Sequence, residues 1–148
     1  MITFAPLIIW TIVVLALGTG LGAMDETSRF IGPFLKWLFP HALPETIRTI
    51  HGLIRKFAHF AEYSILALLA WNAFKRFSRP ILLAFLLAAA VAILDELDQS
   101  FNPARTSSIY DIMIDCAGGT AMLIIVWLIT KTRTGRSITS DGAMECPK

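Results

Sequence analysis

Four long apolar stretches separated by polar ones set the plan of this chain. They run from about Phe4 to Ala23, Phe57 to Phe74, Pro80 to Gln99 and Ser108 to Thr130. Each has roughly the 17–25 residues that a helix needs to cross the hydrocarbon core of a bilayer. Pro80 suits the first turn of the third helix, where its missing N–H is no loss. Ser108-x-x-Asp111 reads as a capping box for the fourth, with Asp in place of the usual Glu. No Lys or Arg precedes the first stretch, and it is longer than the apolar core of a signal peptide, so it is expected to be an uncleaved anchor.

The residues between the first two stretches are not simply loop. Phe30, Phe34, Trp37 and Leu38 recur at helical spacing, with Arg29 and Lys36 elsewhere on the turn, which predicts a short amphipathic helix lying in the membrane interface. Gly32-Pro33 is expected to break it early. After Pro40, Ile47, Ile50 and Ile54 share one face of a segment leading into the second stretch. Beyond Lys131 the composition turns to Thr, Arg, Gly and Ser, which predicts a disordered cytoplasmic tail over 131–148 behind a membrane domain of residues 1–130. The expected fold is therefore all-α, a four-span transmembrane helical bundle with an interfacial amphipathic segment between spans 1 and 2.

Composition agrees with that plan: 55% of the 148 residues are hydrophobic and only 16% are charged. The net charge of +2, with no basic stripe interleaved with aromatics, argues against a nucleic-acid partner. Cys116 lies within an apolar stretch and Cys146 near the C-terminus, so neither a disulfide scaffold nor a zinc motif is expected. Orientation rests on the flanking basic residues. Lys75, Arg76, Arg79, Lys131, Arg133 and Arg136 crowd short segments against one side. An equal number, Arg29, Lys36, Arg48, Arg55, Lys56 and Arg105, is spread along the other. The crowded set marks the inside, which places both termini in the cytoplasm.

With that connectivity the ionisable residues of the spans gather at one end. The second stretch begins with Lys56, His59 and Glu62; the third ends with Asp95, Glu96, Asp98 and Gln99; Arg105, Asp111 and Asp115 follow. His59 and Glu62 are three apart, with Lys56 one turn earlier on their stripe, while Asp95 and Gln99, like Asp111 and Asp115, are four apart. A charged residue at the centre of a span costs roughly 2.5–3.5 kcal/mol on insertion scales, so residues kept at such depth are expected to meet. Their carboxylates outnumber the nearby cations. Protonation, solvent or a bound cation has to balance them, and Arg105 is the closest cation in sequence to the C-terminus of the third helix. From Asp115 the same face continues to Gly118, Gly119 and Met122, small enough at the glycines for a neighbouring helix to approach closely.

Lys56-Phe57-Ala58-His59-Phe60-Ala61-Glu62-Tyr63, then Asp95-Glu96-x-x-Gln99-x-Phe101-x-Pro103-x-Arg105, then Ser108-x-x-Asp111 and Gly118 resemble the VanZ-like family over about residues 43–129. The resemblance implies a small multi-span membrane protein of the bacterial envelope, in a family whose namesake is linked to resistance to the glycopeptide teicoplanin. It supplies no reaction. Asp115 departs from the pattern, since the family usually carries Asn there, and exchanges an amide for a carboxyl.

Each residue also has a structural reading: Asp111 capping with Ser108, Arg105 tying down its loop, Lys56 and Arg55 snorkelling to head groups, and Trp37, Trp71 and Trp127 as interface anchors. A merely structural bundle, however, has no need of Glu62, Asp95, Glu96 and Gln99 at one depth. The sequence thus predicts a polar pocket at the outer face that binds or modifies a lipid-linked cell-wall precursor, a glycopeptide or another amphiphile. In it His59, Glu62, Asp95, Glu96 and Gln99 would carry chemistry, and Lys56, Arg105, Ser108, Asp111 and Asp115 would bind substrate. His59, Glu62, Asp95 and Glu96 could instead ligate a metal, and with a single histidine that favours Mg2+ or Mn2+ over zinc. A non-catalytic lipid or antibiotic binder and a small proton-coupled transporter element are the alternatives. The transporter would need a homo-oligomer, since four short spans enclose little.

Overall fold

The computed structural model describes residues 4–18, 24–101 and 108–141. It contains five helices, α1 (Ala5–Ala16), α2 (Met24–Leu38), α3 (Pro44–Phe74), α4 (Pro80–Ser100) and α5 (Ile109–Asp141), and no strand among the described residues. Prolines open α1, α3 and α4 in their first turns, positions where the helix has no use for the missing donor.

The all-helical expectation holds, with differences in detail. α2 is not broken at Gly32-Pro33 but runs through Pro33 to Leu38. Pro33 forfeits one intrahelical bond, yet the amphipathic pattern around it is satisfied: Leu35 is buried while Phe34, Trp37 and Leu38 face outward. The amphipathic run from Pro44 and the second apolar stretch form one continuous helix, α3, because nothing between Pro44 and Phe74 interrupts the hydrogen-bond ladder. α5 continues beyond Lys131 to Asp141, into the stretch whose composition predicts disorder.

Among the described residues two helices are long and apolar enough to cross a membrane, Pro80–Ser100 and Ile109–Thr132. α1 has 12 residues, shorter than the roughly 20 a crossing requires, and in α3 the apolar stretch is interrupted by His59, Glu62 and Asn72. The apolar outer faces of α1, α4 and α5, including Ile8, Ile9, Ile12, Leu86, Ile93, Ile124 and Leu128, are what a helix apolar on all sides presents to lipid. Together with the two apolar helices they point to a membrane protein.

α3, α4 and α5 form the core, with α1 laid against α3. Their contact faces are lined by small residues: Ala67, Ala70 and Ala73 on α3, Ala84, Ala88 and Ala92 on α4, and Gly118 and Gly119 on α5, all buried. Small side chains let backbones approach closely where lipid offers no hydrophobic drive to associate. α3 and α5 run parallel in a fixed register, His59 beside Asp115, Phe60 and Ser64 beside Gly118, and Tyr63 and Ala67 beside Gly119. That register brings the polar start of α5 level with the middle of α3.

Candidate functional site

The polar residues of α3, α4 and α5 meet at the end of the bundle where α4 stops and α5 starts. Helix periodicity aims them. Arg55, His59 and Glu62 follow one another along one stripe of α3, and Asp95 and Gln99 are one turn apart on α4. Asp115 and Gln99 are each 2% exposed and Asp95 3%. The His59 side chain, 18% exposed, places Nδ1 3.4 Å from Asp115 Oδ1. Gln99 Nε2 donates to Asp95 Oδ2 at 3.1 Å. His59, Asp95 and Asp115 each present an atom able to ligate within 4.8 Å of the other two. Glu62 is half-buried, within electrostatic reach of all three.

Several buried polar atoms here lack a hydrogen-bond partner among the described residues: His59 Nδ1, Tyr63 Oη, Gln99 Oε1 and Asp115 Oδ1. Native interiors rarely leave such groups unsatisfied, and each costs about 1–3 kcal/mol when they do. The cluster is polar enough to hold a shared partner.

Glu96 and Asp111 divide differently from the sequence expectation. Ser108 does cap α5, its Oγ accepting from the Tyr110 N–H at 3.2 Å. The returning half of the box, however, comes from another helix: the Ser108 N–H donates to Glu96 Oε1. Glu96 thus pins the start of α5 to the end of α4, and its negative charge sits favourably at a helix N-terminus. Glu96 Oε1 is thus engaged at the helix start, and the ligating atoms that lie close together belong to His59, Asp95 and Asp115.

Asp111 lines a small cavity of about 160 Å³ together with Gly52, Arg55, Lys56, His59 and Ile114. Two basic residues, a histidine and a carboxylate thus face one space, with His59 shared between it and the buried cluster. Arg105 lies outside the described residues, and so do its expected roles in tying down the loop and binding substrate. A larger cavity of about 730 Å³, lined by Arg79, Phe85, Leu123, Trp127 and neighbours, lies at the other end of α4 and α5. Almost wholly apolar, it has none of the polar residues above.

Three contributors went unread in the sequence. Gly18, just past α1, lies so close to Asp95 that a Cβ on it would strike the Asp95 carboxylate, so α1 closes the cluster from a fourth side. Trp10 fixes α1 there, its Nε1 donating to the Glu62 carbonyl at 3.1 Å. Tyr63, fully buried, follows His59 by one turn. The i, i+4 spacing from His59 to Tyr63 was a usable signal; Gly18, inside an unbroken apolar run, gave none.

The VanZ/LLP1 family model matches residues 2–130 of the chain, which includes α1 to α4 and α5 almost to the end of its apolar part. No curated protein and no solved structure matches it.

Proposed function

The chain belongs to the VanZ/LLP1 family, and on that premise we propose that it is a multi-pass protein of the bacterial inner membrane whose pocket binds the anionic head group of an amphiphile at the outer face. The observation that carries this reading is the small cavity shared by Arg55, Lys56, His59 and Asp111. Arg and Lys provide charge-assisted donors for a phosphate or carboxylate. Its surroundings suit the rest of an amphiphile. Leu53 and Phe57 on α3, and Met113 on α5, are next to lining residues in sequence and are largely exposed. A polar pocket on helices that also carry exposed apolar side chains matches a molecule with an anionic head and an apolar tail.

In this reading α1 and the second half of α3 complete a four-span bundle with α4 and α5. For α1 the apolar run continues in sequence to Ala23. The concentration of Lys75, Arg76, Arg79 and Lys131 at the opposite end supports a cytoplasmic position for that end and for both termini. A lipid-linked cell-wall intermediate has the chemistry the pocket calls for, and holding or modifying it would lower glycopeptide susceptibility. If the pocket is catalytic, Glu62 is the general acid or base, with His59 beside it. A proton relay is disfavoured, because from Pro80 to Leu94 and from Cys116 to Thr130 no ionisable carboxylate or amine continues the path across the bilayer.

Expression-matched strains carrying Arg55→Gln with Lys56→Gln, His59→Ala or Glu62→Gln, scored for teicoplanin susceptibility, test the reading. Loss of protection in the basic double variant supports it, and protection at the wild-type level in that variant contradicts it. Glu62→Gln separates the two forms of the pocket: it abolishes an enzyme and only weakens a binder.

A further inference from the structure

We propose that His59, Asp95, Asp115 and Gln99 hold a divalent cation, with Mn2+ the best-matched ion. The inference stands on the geometry of the buried cluster and does not depend on what the neighbouring cavity binds.

Three observations converge. First, the ligating atoms of His59, Asp95 and Asp115 lie within 4.8 Å of one another. A cation about 2.1 Å from each donor sets donor pairs about 3.0–4.2 Å apart, so a small inward movement completes the site. The His59–Asp115 pair, at 3.4 Å, already lies in that range. Second, Gln99 is 2% exposed, and its Nε2 is spent on Asp95 while its Oε1 has no partner among the described residues. A buried amide oxygen held beside a carboxylate in this way is a fourth donor. Third, His59 Nδ1 and Asp115 Oδ1 face each other without forming a hydrogen bond, and Tyr63 Oη, fully buried and in electrostatic reach of Asp95 and Asp115, is also unpartnered. One cation would satisfy the imidazole, the carboxylate and the amide together. The Tyr63 hydroxyl could then donate to a ligand carboxylate or a coordinated water, as outer partners of metal sites do.

Charge supports the same conclusion. Two buried carboxylates carry two negative charges, and a single divalent ion neutralises both where an imidazolium would neutralise one. The donor set chooses the ion: two carboxylates and an amide oxygen with one imidazole suit a hard, octahedral cation that tolerates nitrogen. Four protein donors leave two positions of an octahedron open to water or to an oxygen anion arriving from the Arg55–Lys56 side.

The test is titration of the purified full-length protein in lipid nanodiscs with MnCl2, free Mn2+ being read by electron paramagnetic resonance. Wild type is expected to take up one ion per chain, with Mg2+ as a weaker competitor. Asp95→Asn and Asp115→Asn should each weaken uptake at least tenfold, whereas Asp98→Asn, on the exposed side of the same helix end, should bind as wild type does. Unfolding midpoints without metal identify variants that fail to fold, and His59→Gln then replaces them. Mn2+ should raise the midpoint of wild type and leave those of the ligand variants unmoved. No uptake by wild type at millimolar Mn2+, or uptake as strong as wild type in both aspartate variants, overturns the site. That result with the Arg55–Lys56 preference for anionic lipid intact would remove the cation and leave the head-group pocket standing.

Discussion

Gly118 of α5 meets Phe60 of α3 backbone to backbone: a Cβ on Gly118 would collide with the Phe60 carbonyl oxygen and carbon. One helical turn toward the polar end, this crossing sets Asp115 beside His59. The glycine therefore determines how closely the two helices that carry the site can run.

Substitution at that crossing should be selective. Gly118→Ala is expected to lower stability by about 1–3 kcal/mol, since a rigid carbonyl cannot yield as a side chain would. At Gly119 an added Cβ would lie 3.6 Å from the Ala67 and Ala88 Cβ atoms, an ordinary contact, so Gly119→Ala should be neutral or gain up to about 1 kcal/mol through helix propensity. Thermal unfolding of the two variants in the same detergent checks the contrast.

The hydroxyl of Ser64 lies 2.9 Å from the Gly118 carbonyl and 2.7 Å from that of Phe60. Ser64→Ala should cost only about 0.6–1 kcal/mol, because both carbonyls belong to helices and interhelical bonds in membranes are modest. A loss several times larger would mean that the contact organises more of the bundle than its geometry indicates.

Glu96 should behave as a structural clamp. Its removal in Glu96→Ala leaves the Ser108 N–H without its carboxylate and should cost about 1–2 kcal/mol, comparable to losing a helix cap. Glu96→Gln keeps an acceptor oxygen and should lose less than half of that. Unfolding midpoints of both variants, with Mn2+ uptake measured alongside, separate a clamp from a ligand: uptake should survive Glu96→Gln.

Gly18→Ala places a methyl group against the Asp95 carboxylate and should displace it. Mn2+ affinity is expected to fall about tenfold while the unfolding midpoint moves little, because an aspartate side chain can turn away where a backbone cannot. Paired titration and unfolding measurements decide this. A fall in stability without a fall in affinity would mean that Asp95 holds its place by moving α1 instead.

Much of this site was legible in the sequence wherever its logic is local. The i, i+3 and i, i+4 spacings of His59 with Glu62 and of Asp95 with Gln99 fixed which side chains share a face, and the Asp95–Gln99 bond follows from that spacing. The glycine stripe after Asp115 likewise announced a close helix crossing. What stayed hidden depends on which helix ends touch. Glu96 answers the Ser108 amide across twelve residues of sequence, so the capping motif pointed to Asp111 instead. Gly18 is one more small residue in an apolar run until α1 is laid against α4. Pro33 reads as a breaker by propensity, and the burial of Leu35 against the exposure of its neighbours decides otherwise.

The central claim is that Arg55 and Lys56, set beside His59 in one cavity, select an anionic head group. Its most direct measurement is the affinity of the purified full-length protein for phosphatidylglycerol against phosphatidylcholine of matched chain length, by native mass spectrometry from zwitterionic nanodiscs. Wild type should favour the anionic lipid at least tenfold, and Arg55→Gln with Lys56→Gln should bring the two affinities to within about twofold of each other. Equal affinities in wild type, or a preference untouched by the double substitution, would contradict the account.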